Sequence, residues 1–141
     1  MPLKLDFKSG EKMVINGAVI ENIGANAKIV VHNLATILRE KEVLTEKECG
    51  TPASRVYFAL QCAYMFPEKK DQYIKTFEKC LEDYVAACPS ATDISDKIRG
   101  HVAEGEFYKG LKASQKLIAH EVNVLNTFNA GMERLLDSDE E

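Results

Sequence analysis

Asn16-Gly17 stands between two short apolar runs, Lys12-Met13-Val14-Ile15 and Ala18-Val19-Ile20. Both residues tolerate positive φ, which a two-residue type I′ turn demands at each central position, so the pair predicts a β-hairpin. The surrounding sequence extends the pattern. Leu3-Lys4-Leu5-Asp6-Phe7-Lys8 alternates apolar and polar residues with period two. Ala27-Lys28-Ile29-Val30-Val31 follows a Gly24-Ala25-Asn26 turn, and Ile37-Leu38 precedes Arg39-Glu40-Lys41-Glu42. Residues 1–48 therefore read as about five short antiparallel strands. Strands this few and short cannot bury both faces of a sheet, so they need the helices downstream, a second subunit, or both.

The remainder reads as helices punctuated by proline. Residues 43–50 form a charged connector with room for a helical turn. Thr51-Pro52 sets an N-cap residue before Pro at the first helical position, and the helix it opens should end near Phe66-Pro67. A second helix, about 68–87, places Tyr73, Phe77, Cys80, Leu81, Tyr84 and Cys88 on one face and stops at Pro89. Ser90 with Asp93 three residues on resembles a capping box for a short third helix carrying Ile94, Ile98 and Val102, which should fray toward Gly100 and Gly105. The fourth, about 106–136, is the longest and shows an amphipathic stripe through Phe107, Leu111, Ile118, Val122, Leu125, Met132 and Leu136. The fold class is α+β: a β module at 1–48, a bundle of about four helices at 49–136, and an acidic tail at 137–141 expected to be disordered.

Bulk properties narrow the function. With 45% hydrophobic and 28% charged residues the chain is an ordinary globular protein. It has no apolar run long enough for a membrane span and no secretory pattern, and is read as cytoplasmic. Cys49, Cys62, Cys80 and Cys88 lack CxxC spacing, and no His stands at ligand spacing, so they read as reduced thiols rather than a zinc site. No nucleophile elbow, P-loop, dinucleotide fingerprint or HExxH motif is present, and neither enzyme chemistry nor a cofactor is expected. The net charge of −4 argues against indiscriminate nucleic-acid binding, DNA included. The distribution is uneven, however. Residues 1–48 are neutral, with seven Lys and Arg against seven Asp and Glu, and the deficit falls wholly on residues 49–141. A polyanion would dock on the N-terminal part.

There the candidate RNA contacts are Lys4, Lys8, Lys12, Arg39 and Lys41. Lys4, Asp6 and Lys8 share one strand face, opposite Leu3, Leu5 and Phe7. Were the first and last strands neighbours, these cations would form one edge able to hold phosphates, with Arg39 placed to read a guanine edge bidentately. A solvated sheet face neutralised by Asp6, Glu11 and Glu40 would carry the same residues.

Several motifs follow one family's pattern in order: Met1-Pro2-Leu3-Lys4-Leu5, Gly10-Glu11-Lys12, Asn16-Gly17-Ala18-Val19-Ile20, Leu38-Arg39-Glu40-Lys41-Glu42, Thr51-Pro52-Ala53 with Val56-Tyr57-Phe58, and Lys116-Leu117-Ile118 with Glu121. The chain resembles FlbT, the flagellum biosynthesis repressor family of alphaproteobacteria. That resemblance implies a post-transcriptional regulator associated with the 5′ untranslated region of flagellin mRNA, repressing translation or promoting decay, and working alongside FlaF. The N-terminal order is also similar to CsrA-type RNA-binding proteins. This second likeness implies a homodimer that pairs first and last strands across subunits and reads GGA in single-stranded loops. It puts Arg39 in the place of the key arginine and Lys8 in that of a basic first-strand residue, while Phe7 stands where that family carries another arginine. The competing expectation is a helical protein-interaction module that binds flagellin or FlaF protein, motivated by the acidic helical half and its long stripe.

Overall fold

The structure, a computed structural model, describes residues 2–139. Five strands come first: β1 (Leu3–Phe7), β2 (Lys12–Ile15), β3 (Ala18–Glu21), β4 (Ala27–Val31) and β5 (Ile37–Arg39). Four helices follow: α1 (Pro52–Met65), α2 (Lys70–Ala87), α3 (Thr92–Ala103) and α4 (Phe107–Asp139). The mixed architecture matches the fold class that the sequence predicts.

The hairpin forms where Asn-Gly requires it. Asn16 and Gly17 have φ of 51° and 83°, and β2 pairs β3 with Ile15 opposite Ala18. Gly17 also sits against the end of α1, where an added Cβ would meet the Met65 carbonyl oxygen at 3.5 Å and the Phe66 ring at 3.6 Å. Asn16 serves a second purpose, since its side-chain oxygen accepts from the Thr36 amide at 3.0 Å and sets the start of β5. The strands make two antiparallel units, a ribbon β1–β4 and a three-stranded sheet β3–β2–β5. First and last strands therefore do not pair within the chain, because β1 takes β4 and β5 takes β2. Asn22 ties the units together: its amide donates to the Phe7 carbonyl at 2.8 Å, while its own carbonyl accepts from the Gly10 amide at 2.7 Å.

The helices supply the cover that the strands lack. Val14 of β2 and Leu38 of β5 belong to the same buried cluster as Val56 and Leu60 of α1, Phe77 and Leu81 of α2, Ile98 of α3, and Leu111 and Leu117 of α4. α1 is the central element, packed on α2 and α4 and buried on most of its circumference, as expected of a helix apolar nearly all round. Its start follows the sequence, with Thr51 Oγ1 accepting from the Ser54 amide at 3.3 Å.

Three expectations are corrected. Ser90 does not cap α3: a 3-10 turn, Pro89–Ala91, leads into that helix, Ala91 holds the cap position, and the Ser90 hydroxyl bonds His120 at 2.8 Å instead. α3 also continues through Gly100 to Ala103 rather than fraying there. α4 runs to Asp139, so residues 137–139 are helical where a disordered tail is expected, and the rest of that tail lies outside the described residues.

Candidate nucleic-acid interface

β1 exposes Lys4 and Asp6 on one face while Phe7 turns into the protein, the alternation that a half-buried strand imposes. Lys8 continues the exposed face just past the strand end. Register adds a cation that sequence pattern alone does not place: Lys28 of β4 lies directly opposite Asp6. Residues directly opposite in an antiparallel pair share a face, so Lys4, Lys8 and Lys28 decorate one side of the ribbon around a single carboxylate.

Arg39 closes the gap between the two strand units. Its Nη1 donates to the Asp6 carbonyl at 2.9 Å and to the Glu11 carboxylate at 3.2 Å, joining the end of β5 to the end of β1 through a side chain. Beside this bridge lies an open depression of about 610 Å³, lined by Asp6, Lys8, Glu11, Arg39, Glu40 and Lys41. A smaller hollow of about 270 Å³, lined by Asp6, Lys8, Asn26, Ala27 and Lys28, shares two of those residues, so Lys8 stands on the ridge between them. The structure thus brings Lys8, Arg39 and Lys41 together and leaves Lys4 farther along the same β1 face. Lys12 is apart: it opens β2 opposite Glu21, and its backbone amide donates to the Glu40 carboxylate at 3.4 Å.

The depression is mixed in charge, with three cations against three carboxylates. An arginine that already holds a carbonyl and a carboxylate is a positioned arginine, because the guanidinium carries five donors in a fixed planar fork and these two bonds use only Nη1.

Behind Arg39 the platform is anchored by Glu42, the last residue of a 3-10 turn, Glu40–Glu42. One carboxylate oxygen accepts from the Arg39 amide at 3.0 Å, and the other accepts from Tyr108 Oη at 2.6 Å and from Lys112 Nζ at 2.8 Å. Burial pushes the Glu42 carboxyl up, but the bonds from Lys112, Tyr108 and the Arg39 amide outweigh it and hold the group below its ordinary value. Neither Glu42 nor Tyr108 announces itself in the sequence, since they lie 66 positions apart and meet only through the packing of α4 on the β module.

Among the described residues no group of three or more His, Cys, Asp or Glu is placed to hold a metal, and no helix is long and apolar enough to cross a membrane. Fold and surface define an α+β protein with a polar, cation-bearing β face carried on a helical bundle. The model of the flagellar protein FlbT matches residues 3–125. The flagellum biosynthesis repressor protein FlbT of Caulobacter vibrioides (strain ATCC 19089 / CIP 103742 / CB 15) is 34% identical over 134 residues, covering 94% of this chain and 95% of the relative. Probable flagellum biosynthesis repressor proteins FlbT include one from Caulobacter sp. (strain K31), 37% identical over 123 residues, 86% of this chain and 94% of its own. Another, FlbT 1 of Bradyrhizobium diazoefficiens, is 33% identical over 131 residues, 92% of this chain and 89% of its own. The chain belongs to the FlbT family of flagellar proteins and has a role in the regulation of flagellar biosynthesis. No solved structure matches it.

Proposed function

We propose that this protein is a cytoplasmic, non-enzymatic regulator that binds the 5′ untranslated region of flagellin mRNA through its β module and blocks ribosome access or promotes decay of the message. The observation that carries this reading is the convergence of Lys8, Arg39 and Lys41 on one open depression, with Lys4 and Lys28 on the adjoining ribbon face. Lysines along the ribbon suit phosphates, and Arg39, held by Asp6 and Glu11, suits a guanine edge. The mixed charge of the depression favours a defined loop over any polyanion, and the likeness to CsrA-type proteins supports a single-stranded target, whose bases are open to readout. Lys12 has a peripheral part in this scheme.

The test is binding of the purified protein to a labelled flagellin 5′ leader at two salt concentrations. Affinity should fall with salt in proportion to the phosphates engaged. Arg39→Ala should weaken binding by about 1–3 kcal/mol, whereas Lys28→Ala should lower affinity for all sequences alike and reduce the salt slope by about one. Because Arg39→Ala also cuts the β1–β5 bridge, the exposed Lys28 serves as the variant that leaves the fold untouched. Binding that ignores salt and both substitutions would overturn the proposal.

A second reading is favoured by an apolar groove of about 500 Å³ where α1, α2 and α4 meet, lined in part by Tyr84, Ala87, Val124 and Leu125. It makes the helical half a docking module for flagellin or FlaF protein, with effects on the message indirect.

A further inference from the structure

α4 has 33 residues, and a helix of that length spans about 50 Å. Its first half is core, with Leu111, Ser114, Leu117 and Glu121 buried. Beyond Glu121 none of the residues through 136 is buried, although the apolar pattern does not stop. Val122, Leu125, Phe128, Met132, Leu135 and Leu136 are each 44–63% exposed. With Val124 they present on the order of 600 Å² of apolar surface, the upper end of what a monomer leaves in water.

The arrangement of that surface is informative. Ile118, Glu121, Leu125, Phe128, Met132 and Leu135 recur at alternating steps of four and three, continuing the buried face of α4 without a break in phase. Such a repeat is the narrow seam of a coiled coil rather than the broad face of a surface helix. Residues 122–136 hold only two charges, Glu133 and Arg134, both off the seam. Gly131 flanks it, and an added Cβ there would meet nothing within 4 Å, so a neighbouring backbone has room to approach.

We propose that the projecting half of α4 is a homodimer interface in which two copies of the chain pack antiparallel. In one register the apolar layers match: Leu125 meets Leu135 of the second copy, and Phe128 meets Met132. The contact is isologous, each pair occurring twice about the two-fold axis. The same register sets Val124 against Leu136 of the second copy, so each helix tip falls at the mouth of the other's groove, whose apolar wall includes Tyr84, Ala87, Val124 and Leu125. Plug and groove lie on one chain at the spacing that an antiparallel pair requires, which is why a second copy fits here. The apolar surface open to such a pair, on the order of 600 Å² on each chain, lies below the roughly 800 Å² per partner of a standard interface, which suits a concentration-dependent dimer. Most of the seam lies past residue 125, where the family match ends.

Sedimentation velocity of the full chain over a concentration series tests this directly. The expected species is twice the 15.7 kDa of one chain. Phe128→Glu and Leu135→Glu should each return it to monomer with the helical circular dichroism of α1–α3 unchanged, since both side chains are exposed. The register has its own test: Val124→Lys and Leu136→Glu chains should each associate poorly alone and recover dimer when mixed. A wild type that stays monomeric, or a dimer that survives Phe128→Glu, would overturn the interface and leave the groove to a different protein. Failure of the mixed chains to pair would overturn the register.

Discussion

At the scale of single residues, Glu42 gathers contacts from three separate parts of the fold. Its carboxylate joins the backbone of Arg39, the phenol of Tyr108 and the ammonium of Lys112, and its carbonyl accepts from Tyr57 Oη. Breaking a buried pair by removing one partner costs several kcal/mol because the other charge is stranded, but Lys112 is nearly half exposed and screened by water. Glu42→Gln should therefore cost only about 1–2 kcal/mol at neutral pH, most of it from weakened charge-assisted hydrogen bonds. The pH dependence has a definite sign. A carboxyl held below its ordinary value of 4.5 in the folded state contributes stability that is fully present above that value. The contribution is lost as pH falls through the lower, folded value. Urea denaturation of wild type and Glu42→Gln should show a gap that is constant near neutrality and shrinks on acidification below about 4.5. A gap independent of pH down to acid unfolding would show that the ionised carboxylate is not the source.

Between elements, His120 of α4 bonds Tyr84 of α2 through Nδ1 and Ser90 of the 3-10 turn before α3 through Nε2, each at 2.8 Å. This contact explains why the capping reading at Ser90 fails. A Ser read as the residue just before a helix, with an acid three positions on, is expected to cap it, but a histidine 30 positions away is a partner that no local pattern reveals. The asymmetry is testable. Burial pushes the Tyr84 phenol up to about 12, so it stays protonated, and removing His120 takes away the imidazole partner of its hydroxyl. His120→Ala should cost about 1–3 kcal/mol and Ser90→Ala, at an exposed site, well under 1 kcal/mol. Equal losses in thermal denaturation, or loss of α3 helicity in Ser90→Ala, would restore Ser90 as a cap. The same division governs what the sequence makes legible elsewhere. Asn16-Gly17 and Thr51-Pro52 are local chemistry and appear where the residues demand them. Lys28 on the basic face and Glu42 beneath it depend on strand register and on α4 crossing back, neither of which has a short-range signature. The lysines, Arg39 and the neutralising Asp6, Glu11 and Glu40 can be picked out from the sequence, but it joins them only by pairing first and last strands, whereas the structure joins those strands through the Arg39 side chain.

For the whole molecule, the question is whether the β module and the helices are separate units, as the sequence division at residue 48 suggests. The packing argues for one cooperative body. Val14 and Leu38 lie in the helical core, Gln61 of α1 exchanges two hydrogen bonds with the backbone of Leu44, and the Tyr64 phenol accepts from the Ile37 amide at 3.0 Å. Removing the strands would expose the face of α1 that they cover, so neither half keeps a complete core alone. Tyr57, Tyr64 and Tyr108 all stand at this joint, which makes near-ultraviolet circular dichroism a probe of the junction while the far-ultraviolet signal follows the helices. The two should report coincident urea transitions, the test of all-or-none unfolding. If two copies also pair through α4, the midpoint must rise with protein concentration, because association stabilises the folded state by mass action. Phe128→Glu separates the two effects. It should abolish the concentration dependence while leaving the transitions coincident, since it touches the seam and not the core. Split transitions in that monomeric variant would mean that the β module and bundle unfold independently. In that case the Glu42, Gln61 and Tyr64 contacts would not couple the two units, and acid that weakens the Glu42 cluster would loosen the β module before the helices respond.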